Sequence, residues 1–342
     1  MQVISNEMHR QLPVAARPES VGMSSVRLEA AAELLQSAMG TADGISAASI
    51  VVVRKGAIVL SRGFGQLAPD GSSSSSAGAV DADSVFIMAS VTKPITAMAL
   101  MILVEEGRLS LDDYACRYIP EFCEGERGSV TLRHLLSHTS GLPDMLPENS
   151  ALRLARAPLD AFVQASMHTP LLYSPGTDWS YSSMGILLAA EIIERLSGQR
   201  LRDFEAARIF TPLSMRQTSL GLGGRSVSET VLCGDRGAKS DSPAGLPNSS
   251  YWRDMAHPWG GMHSSANDMA LLLQCLLEGG RGLWCTSSIR ALTSDQNAHL
   301  PGRPWGLGWA TQGASYAPHN HSQAIYTPFN SVELRNLVRR ES

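Results

Sequence analysis

Apolar positions recur along this chain with two different periods. Leu28, Ala31, Ala32 and Leu35 fall at helical spacing, which predicts an amphipathic helix closed by Gly40. Residues 48–53 and 57–61 are apolar, β-branched runs on either side of Arg54, Lys55 and Gly56, the pattern of a β-hairpin with glycine in its turn. Both runs are almost continuously apolar, so helices are expected on both faces of their sheet. Residues 68–84 (APDGSSSSSAGAVDADS) read as a low-complexity loop. Residues 86–107 (FIMASVTKPITAMALMILVEEG) follow. From Ile95 to Glu106 nearly every residue is a helix former and most are apolar, which predicts a helix buried on nearly every side and stopped by Gly107. Pro94 has no N–H, and only the first turn of a helix can do without one, so the helix begins near Ser90.

From Gly107 to about Leu220 the pattern is helical with irregular joints. Residues 130–138 form a short helix with Thr131 as N-cap, stopped by Ser140, Gly141, Leu142 and Pro143. Pro175 and Gly176 make a turn. Tyr181 then lies in the loop before a helix whose apolar face is Ile186, Leu187, Ala190, Ile193 and Leu196, closed by Gly198. Residues 221–250 read as loop, and residues 258–261 as a tight segment. Ser265 and Asp268 resemble a capping box opening a helix through Leu277, with Gly279 and Gly280 as the stop. Residues 305–309 (WGLGW) read as the start of a strand. Leu334, Leu337 and Val338 allow one short final helix.

Composition narrows the function classes. The 342 residues can fill one large domain or two lobes; 44% are hydrophobic and 18% charged, as in an ordinary globular enzyme. A net charge of -4 with scattered arginines implies neither nucleic acid nor an anionic membrane as partner. No apolar run reaches transmembrane length, and the first twenty residues lack a signal-peptide core, so a cytoplasmic location is expected. The five cysteines include no C-x-x-C and read as buried free thiols.

The chemistry concentrates on Ser90 and Lys93. They lie one turn apart on one face of the helix start, where free N–H groups and the macrodipole favour negative charge. Serine becomes a nucleophile when a neighbour takes its proton, and a lysine whose pKa is lowered by burial can do so. S-x-x-K alone is a short pattern in a serine-rich chain, and a capping serine beside a surface lysine is the bland alternative. His134 and His138 stand at i, i+4, but no glutamate follows His134 and no third ligand is evident, so they read as packing or hydrogen-bonding histidines and no metal is expected. No cofactor is implied.

With these pieces in place, the chain resembles the serine β-lactamase and penicillin-binding-protein superfamily, in the class C branch that includes β-lactamase-like carboxylesterases. The matching segments run in order: PESVGMSSVRLEAAAELL, SIVVVRKGAIVL, FIMASVTKPITAMALMILVEEGRLSLDD, VTLRHLLSHTSGLPD, SPGTDWSYSSMGILLAAEIIERLSG, IFTPLSMRQTSL, GGMHSSANDMALLLQCLLEGG and WGLGW. The resemblance implies an α+β fold, an antiparallel sheet flanked by helices plus a mostly helical lobe. That is a single β-lactamase-related domain over residues 1–342, with one lobe from residues 1–80 plus 255–342, its C-terminal part atypical or truncated, and the other from 81–254. It implies further that Ser90 is acylated, that Lys93 activates it, and that Tyr181 exchanges protons with nucleophile and leaving group. Lys93 and Tyr181 would then titrate as a coupled pair. The substrate would be a small ester or a β-lactam-type amide. Two positions depart from the family pattern. Ser183 stands where the Y-x-N asparagine would be, either as a substrate-binding hydroxyl or as an N-cap. After Trp309 no Lys or His is followed two residues later by Gly, and His319 and His321 are the only candidates for the K-T-G or H-x-G position. A catalytically impaired or non-catalytic ligand-binding protein of the same fold is therefore the alternative expectation.

Overall fold

A computed structural model of the chain describes residues 11–39, 45–68, 78–233 and 247–311. The first helix, α1 (Ser25–Ser37), is capped by Ser24, whose hydroxyl accepts the Arg27 N–H, and it ends three residues before the expected glycine. Strands β1 (Ala47–Arg54) and β2 (Ala57–Gly65) pair antiparallel and are longer than their apolar runs. Their turn is two residues, Lys55 and Gly56, both at positive φ. That is the turn whose twist matches paired strands. Leu28 and Ala32 of α1 pack on Leu60 and Phe64 from one face, while Val51, Val53 and Ile58 join the main core from the other.

A second sheet was not legible in the sequence, because each of its strands is two or three residues long. It orders β3 (Phe86–Ile87), β5 (Met262–Ser264) and β4 (Ser219–Leu220), all antiparallel, with β5 in the middle. β3 leads straight into α2 (Thr92–Glu105), which is buried from Ile95 to Leu103. Gly107 N–H and Arg108 N–H bond back to the Val104 and Leu103 carbonyls, the paired bonds of a Schellman stop.

Short helices α3 (Leu132–Ser137), α4 (Asn149–Leu154) and α5 (Leu159–His168) follow, joined by irregular turns. α6 (Ser183–Ser197) lies beside α2 and α3, and its residues from Ser183 to Ala190 are all buried. Gly185 makes the α3–α6 approach possible: a Cβ there would sit 2.8 Å from the Leu135 carbonyl oxygen. α7 (Leu201–Glu205) passes into a π-helical turn at Ala206–Phe210. α8 (Ser250–Asp254), α9 (Ala266–Leu277) and α10 (Thr286–Thr293) complete the described helices. α9 packs on β1, so helices cover both faces of the hairpin.

Three expectations need correction. Ser265 caps α9 by accepting the Asp268 N–H, but the Asp268 carboxylate turns instead to Gln217 N–H and the Thr218 hydroxyl, so the box closes across the fold rather than on itself. Residues 305–309 form a tight turn and not a strand: Gly306 N–H bonds to the Trp309 carbonyl, while Leu307 and Gly308 N–H bond to Leu292 and Leu136. Two glycines in five residues let the backbone lie flat on α2, where a Cβ at Gly308 would touch Ala97 at 2.9 Å. The five cysteines are free, but Cys123 and Cys285 are exposed and only Cys275 is buried. Among the described residues no helix is long and apolar enough to cross a membrane. The expected final helix, His319 and His321 lie outside the described residues.

Candidate active site

Ser90 stands where β3 becomes α2. Met88 N–H donates to the Met262 carbonyl at 2.8 Å, and the chain then turns sharply at Ala89, whose φ is +45°. A non-glycine residue there is strained by on the order of 1–2 kcal/mol. Thr92 holds the turn in place. Its hydroxyl donates to the Ala89 carbonyl at 2.7 Å and accepts the Met262 N–H at 3.1 Å. The turn carrying Ser90 is thereby tied at both ends to β5. Ser90 is half-buried at the head of a helix, where a developing negative charge is favoured.

Lys93 is 2% exposed and, among the described residues, has no carboxylate in salt-bridge contact. Its Nζ lies 3.1 Å from Ser90 Oγ and 2.9 Å from the Trp259 carbonyl oxygen. Burial lowers its pKa to about 7, against the smaller opposing pull of Asp144. Near neutral pH a large share of the amine is therefore unprotonated, with one N–H for Trp259 and a lone pair for the serine proton.

The Tyr181 ring centroid lies 4.6 Å from Lys93 Nζ. Its loop is laced to residues 138–144: Ser180 N–H donates to the His138 carbonyl, Ser182 N–H to His138 Nδ1, and the Ser182 hydroxyl to the Pro143 carbonyl. Two rings flank it, His138 at 4.6 Å and Trp305 at 5.9 Å between centroids. His138 is fully buried; burial first, and the Lys93 charge second, push its pKa down to about 3, so it stays neutral. Since Nδ1 accepts a proton, Nε2 carries the ring hydrogen.

The structure thus brings Ser90, Lys93 and Tyr181 together. Ser183 is not the cap of α6. Ser182, one residue earlier, is the N-cap of α6, accepting the Gly185 N–H. Ser183 is buried, and both its N–H and its hydroxyl donate to Asp144 Oδ1, at 3.0 and 2.6 Å. The i, i+4 histidines serve the two ends of α3. His134 Nδ1 accepts the Thr131 N–H in a capping box, and His138 is the left-handed C-cap. Among the described residues no cluster of three or more His, Cys, Asp or Glu is placed to hold a metal ion.

Sequence reasoning missed Thr92, His138, Asp144, Trp259 and Trp305 as site residues. A His in left-handed conformation at a helix end offers a weak signal. The Trp259 contribution is a backbone carbonyl, which no side-chain pattern reveals. A separate groove of about 580 Å³ between α5 and α6 is lined by Asp160, Glu191, Glu194 and Arg200, among others. Its charges are paired, Arg195 with Glu191 and Arg200 with Asp160 and Glu194, so it offers no comparable chemistry.

Residues 31–328 match the Beta-lactamase family. Among curated proteins, esterase EstB of Burkholderia gladioli is 38% identical over 149 residues, which is 39% of this chain and 38% of that one. Penicillin-binding protein 4* of Bacillus subtilis (strain 168) is 34% identical over 142 residues, 40% of this chain and 30% of that one. The chain therefore spans well under half the length of these relatives in the matched stretch. Solved structures share the fold at lower identity. EstCE1, described as a hydrolase with promiscuous acyltransferase activity, superposes with a TM-score of 0.63 at 20% identity, over 83% of each chain. D-amino acid amidase from Ochrobactrum anthropi SV3 gives 0.63 at 24%, over 82% of this chain and 80% of that one.

Proposed function

The chain belongs to the Beta-lactamase family, and from that premise we propose that it is a serine hydrolase working through an acyl-enzyme on small esters or β-lactam-type amides. The observation that carries the proposal is Lys93, buried, with its pKa lowered to about 7 and its amine 3.1 Å from Ser90 Oγ. In the acylation step Ser90 Oγ bonds to the substrate carbonyl carbon as its proton passes to Lys93 Nζ. The tetrahedral intermediate collapses when the leaving oxygen or nitrogen departs with a proton delivered by the Lys93–Tyr181 pair. Water then adds to the acyl carbon and releases the acid. The negative oxygen is met by the Ser90 N–H at the helix start. Relatives named esterase and amidase support acyl transfer as the reaction class.

A second reading, a catalytically impaired or non-catalytic ligand-binding protein, is favoured by one observation: the sequence after Trp309 contains no K-T-G or H-x-G. A fluorophosphonate probe separates the two. An activated Ser90 adds one adduct, found on that residue by intact mass and peptide mapping, and Ser90→Ala adds none. Turnover of a p-nitrophenyl ester or a chromogenic cephalosporin then identifies the acyl class. An Ala variant that labels and hydrolyses like the parent removes Ser90 from the mechanism.

A further inference from the structure

Below the site lies a buried acid that the acyl-transfer scheme does not use. Glu205 is the last residue of α7, at the junction with the π-helical turn, and is 0% exposed. Local departures of this kind from α-helical geometry often accompany functional sites. No lysine or arginine pairs with Glu205 among the described residues. Among those residues its Oε2 has no hydrogen-bond partner, and its Oε1 lies 3.4 Å from Thr96 Oγ1. Thr96 is itself fully buried and sits one turn after Lys93 on α2.

Counting protons sets the direction of these bonds. The Thr96 hydroxyl has one hydrogen, and the Pro258 carbonyl, at 3.0 Å, is the nearer acceptor and cannot donate in return. With that hydrogen committed, the contact between Thr96 and Glu205 is a bond only if the carboxyl is the donor, which requires it to be neutral. Burial supports this independently, pushing its pKa up to about 8. The residue after Pro258 is Trp259, whose carbonyl accepts Lys93 Nζ. Two adjacent carbonyls are thus gripped from one face of α2, by Thr96 and by Lys93.

We infer that Glu205 is a positioning residue for Lys93: as a neutral acid it fixes Thr96, and through Thr96 the Pro258–Trp259 backbone that holds the amine against Ser90. The inference rests on the reading of Lys93 as the group that activates Ser90. Once ionised, the carboxylate can only accept, so it draws the Thr96 hydrogen away from Pro258 and loosens that grip. The other ionisable groups on the elements packed around it are engaged or distant. On α2, Glu105 accepts Cys285 N–H. On α6, Glu191 and Glu194 pair with Arg195 and Arg200. On its own helix and the π turn, Arg202 pairs with Asp254, Arg208 with Glu106, and Asp203 is exposed. β4 carries none. In the 258–261 approach, His257 is fully buried and held neutral, first by burial and then by the Arg153 and Lys93 charges.

The chain has three lysines, Lys55, Lys93 and Lys239, so side-chain amine NMR on the full-length protein resolves each titration. In the parent, Lys93 is expected to titrate near 7. In Glu205→Gln, whose amide still donates to Thr96, that midpoint is unchanged, and ester hydrolysis loses the decline of the parent above pH about 8. In Thr96→Val, a near-isostere that removes the relay, and in Glu205→Ala, the midpoint rises by about one unit or more as the amine gains water, and kcat falls by about 10–10² with KM unchanged. Should Glu205→Ala fail to fold, Thr96→Val carries the comparison. A Lys93 midpoint that stays near 7 in Thr96→Val and in a folded Glu205→Ala overturns this inference and leaves the role of Lys93 standing. A parent midpoint near that of free lysine overturns both.

Discussion

Replacing Lys93 by methionine removes the amine and keeps an unbranched apolar chain of similar length. In the unfolded chain the lysine holds its proton up to 10.5, whereas burial lowers the folded value to about 7. Between those values the unfolded state binds the extra proton, so stability rises with pH. The penalty is absent above 10.5, grows as pH falls from 10.5 to 7, and is fully present below 7. The gap, 10.5 minus 7, is 3.5 units. At roughly 1.4 kcal/mol per unit, Lys93 lowers stability by about 5 kcal/mol at pH 6 and by about 2 kcal/mol at pH 9. Methionine removes that deficit. It also leaves the Trp259 carbonyl without its partner, which costs about 1–3 kcal/mol but equally at every pH. Glu205 titrates over part of the same range, but it is present in both proteins and cancels in their difference. The difference in unfolding free energy between variant and parent should therefore change by about 3 kcal/mol between pH 6 and 9, favouring methionine at the acid end. Urea unfolding followed by tryptophan fluorescence at several pH values measures it. A difference flat to within about 1 kcal/mol refutes a neutral Lys93, and with it the proton acceptor for Ser90.

Three further outcomes are expected. Tyr181→Phe keeps its thermal midpoint and loses about 10²-fold or more in kcat/KM; an unchanged rate would make the tyrosine a packing residue. Asp144→Asn removes a charge that raises the Lys93 pKa, so the acid limb of the rate profile should move to lower pH, and a shift upward contradicts the assigned sign. Gly185→Ala puts a Cβ 2.8 Å from the Leu135 carbonyl, a backbone atom that cannot step aside. Urea midpoints should report about 1–3 kcal/mol of destabilisation, and a neutral result would mean that α3 and α6 separate freely.

Local rules made much of the fold legible before any coordinates. The buried helix from its proline-set start to its glycine stop, the hairpin, the Thr131 and Ser265 caps and the α6 apolar face depend on neighbours within a few residues. So does the placing of Ser90 and Lys93 on one helix face, since they are three residues apart. The short β3–β5–β4 sheet left no trace, because strands of two or three residues carry no readable period. The turn at 305–309 was misread for a related reason: its geometry is set by glycines lying against α2, not by its own alternation.

What lowers the Lys93 pKa was decided by tertiary structure alone. Its carbonyl partner lies 166 residues away, and Thr96 reaches the neighbouring carbonyl 162 residues away and Glu205 at 109. Every residue has a carbonyl, so residue identity does not mark the one that will receive the amine. The pKa itself follows from desolvation, which depends on what surrounds the amine in space and not on what flanks it in the chain. Sequence determined which groups the site contains; packing buried an amine and an acid with no salt-bridge partner among the described residues, and so moved the pKa of Lys93 down and that of Glu205 up.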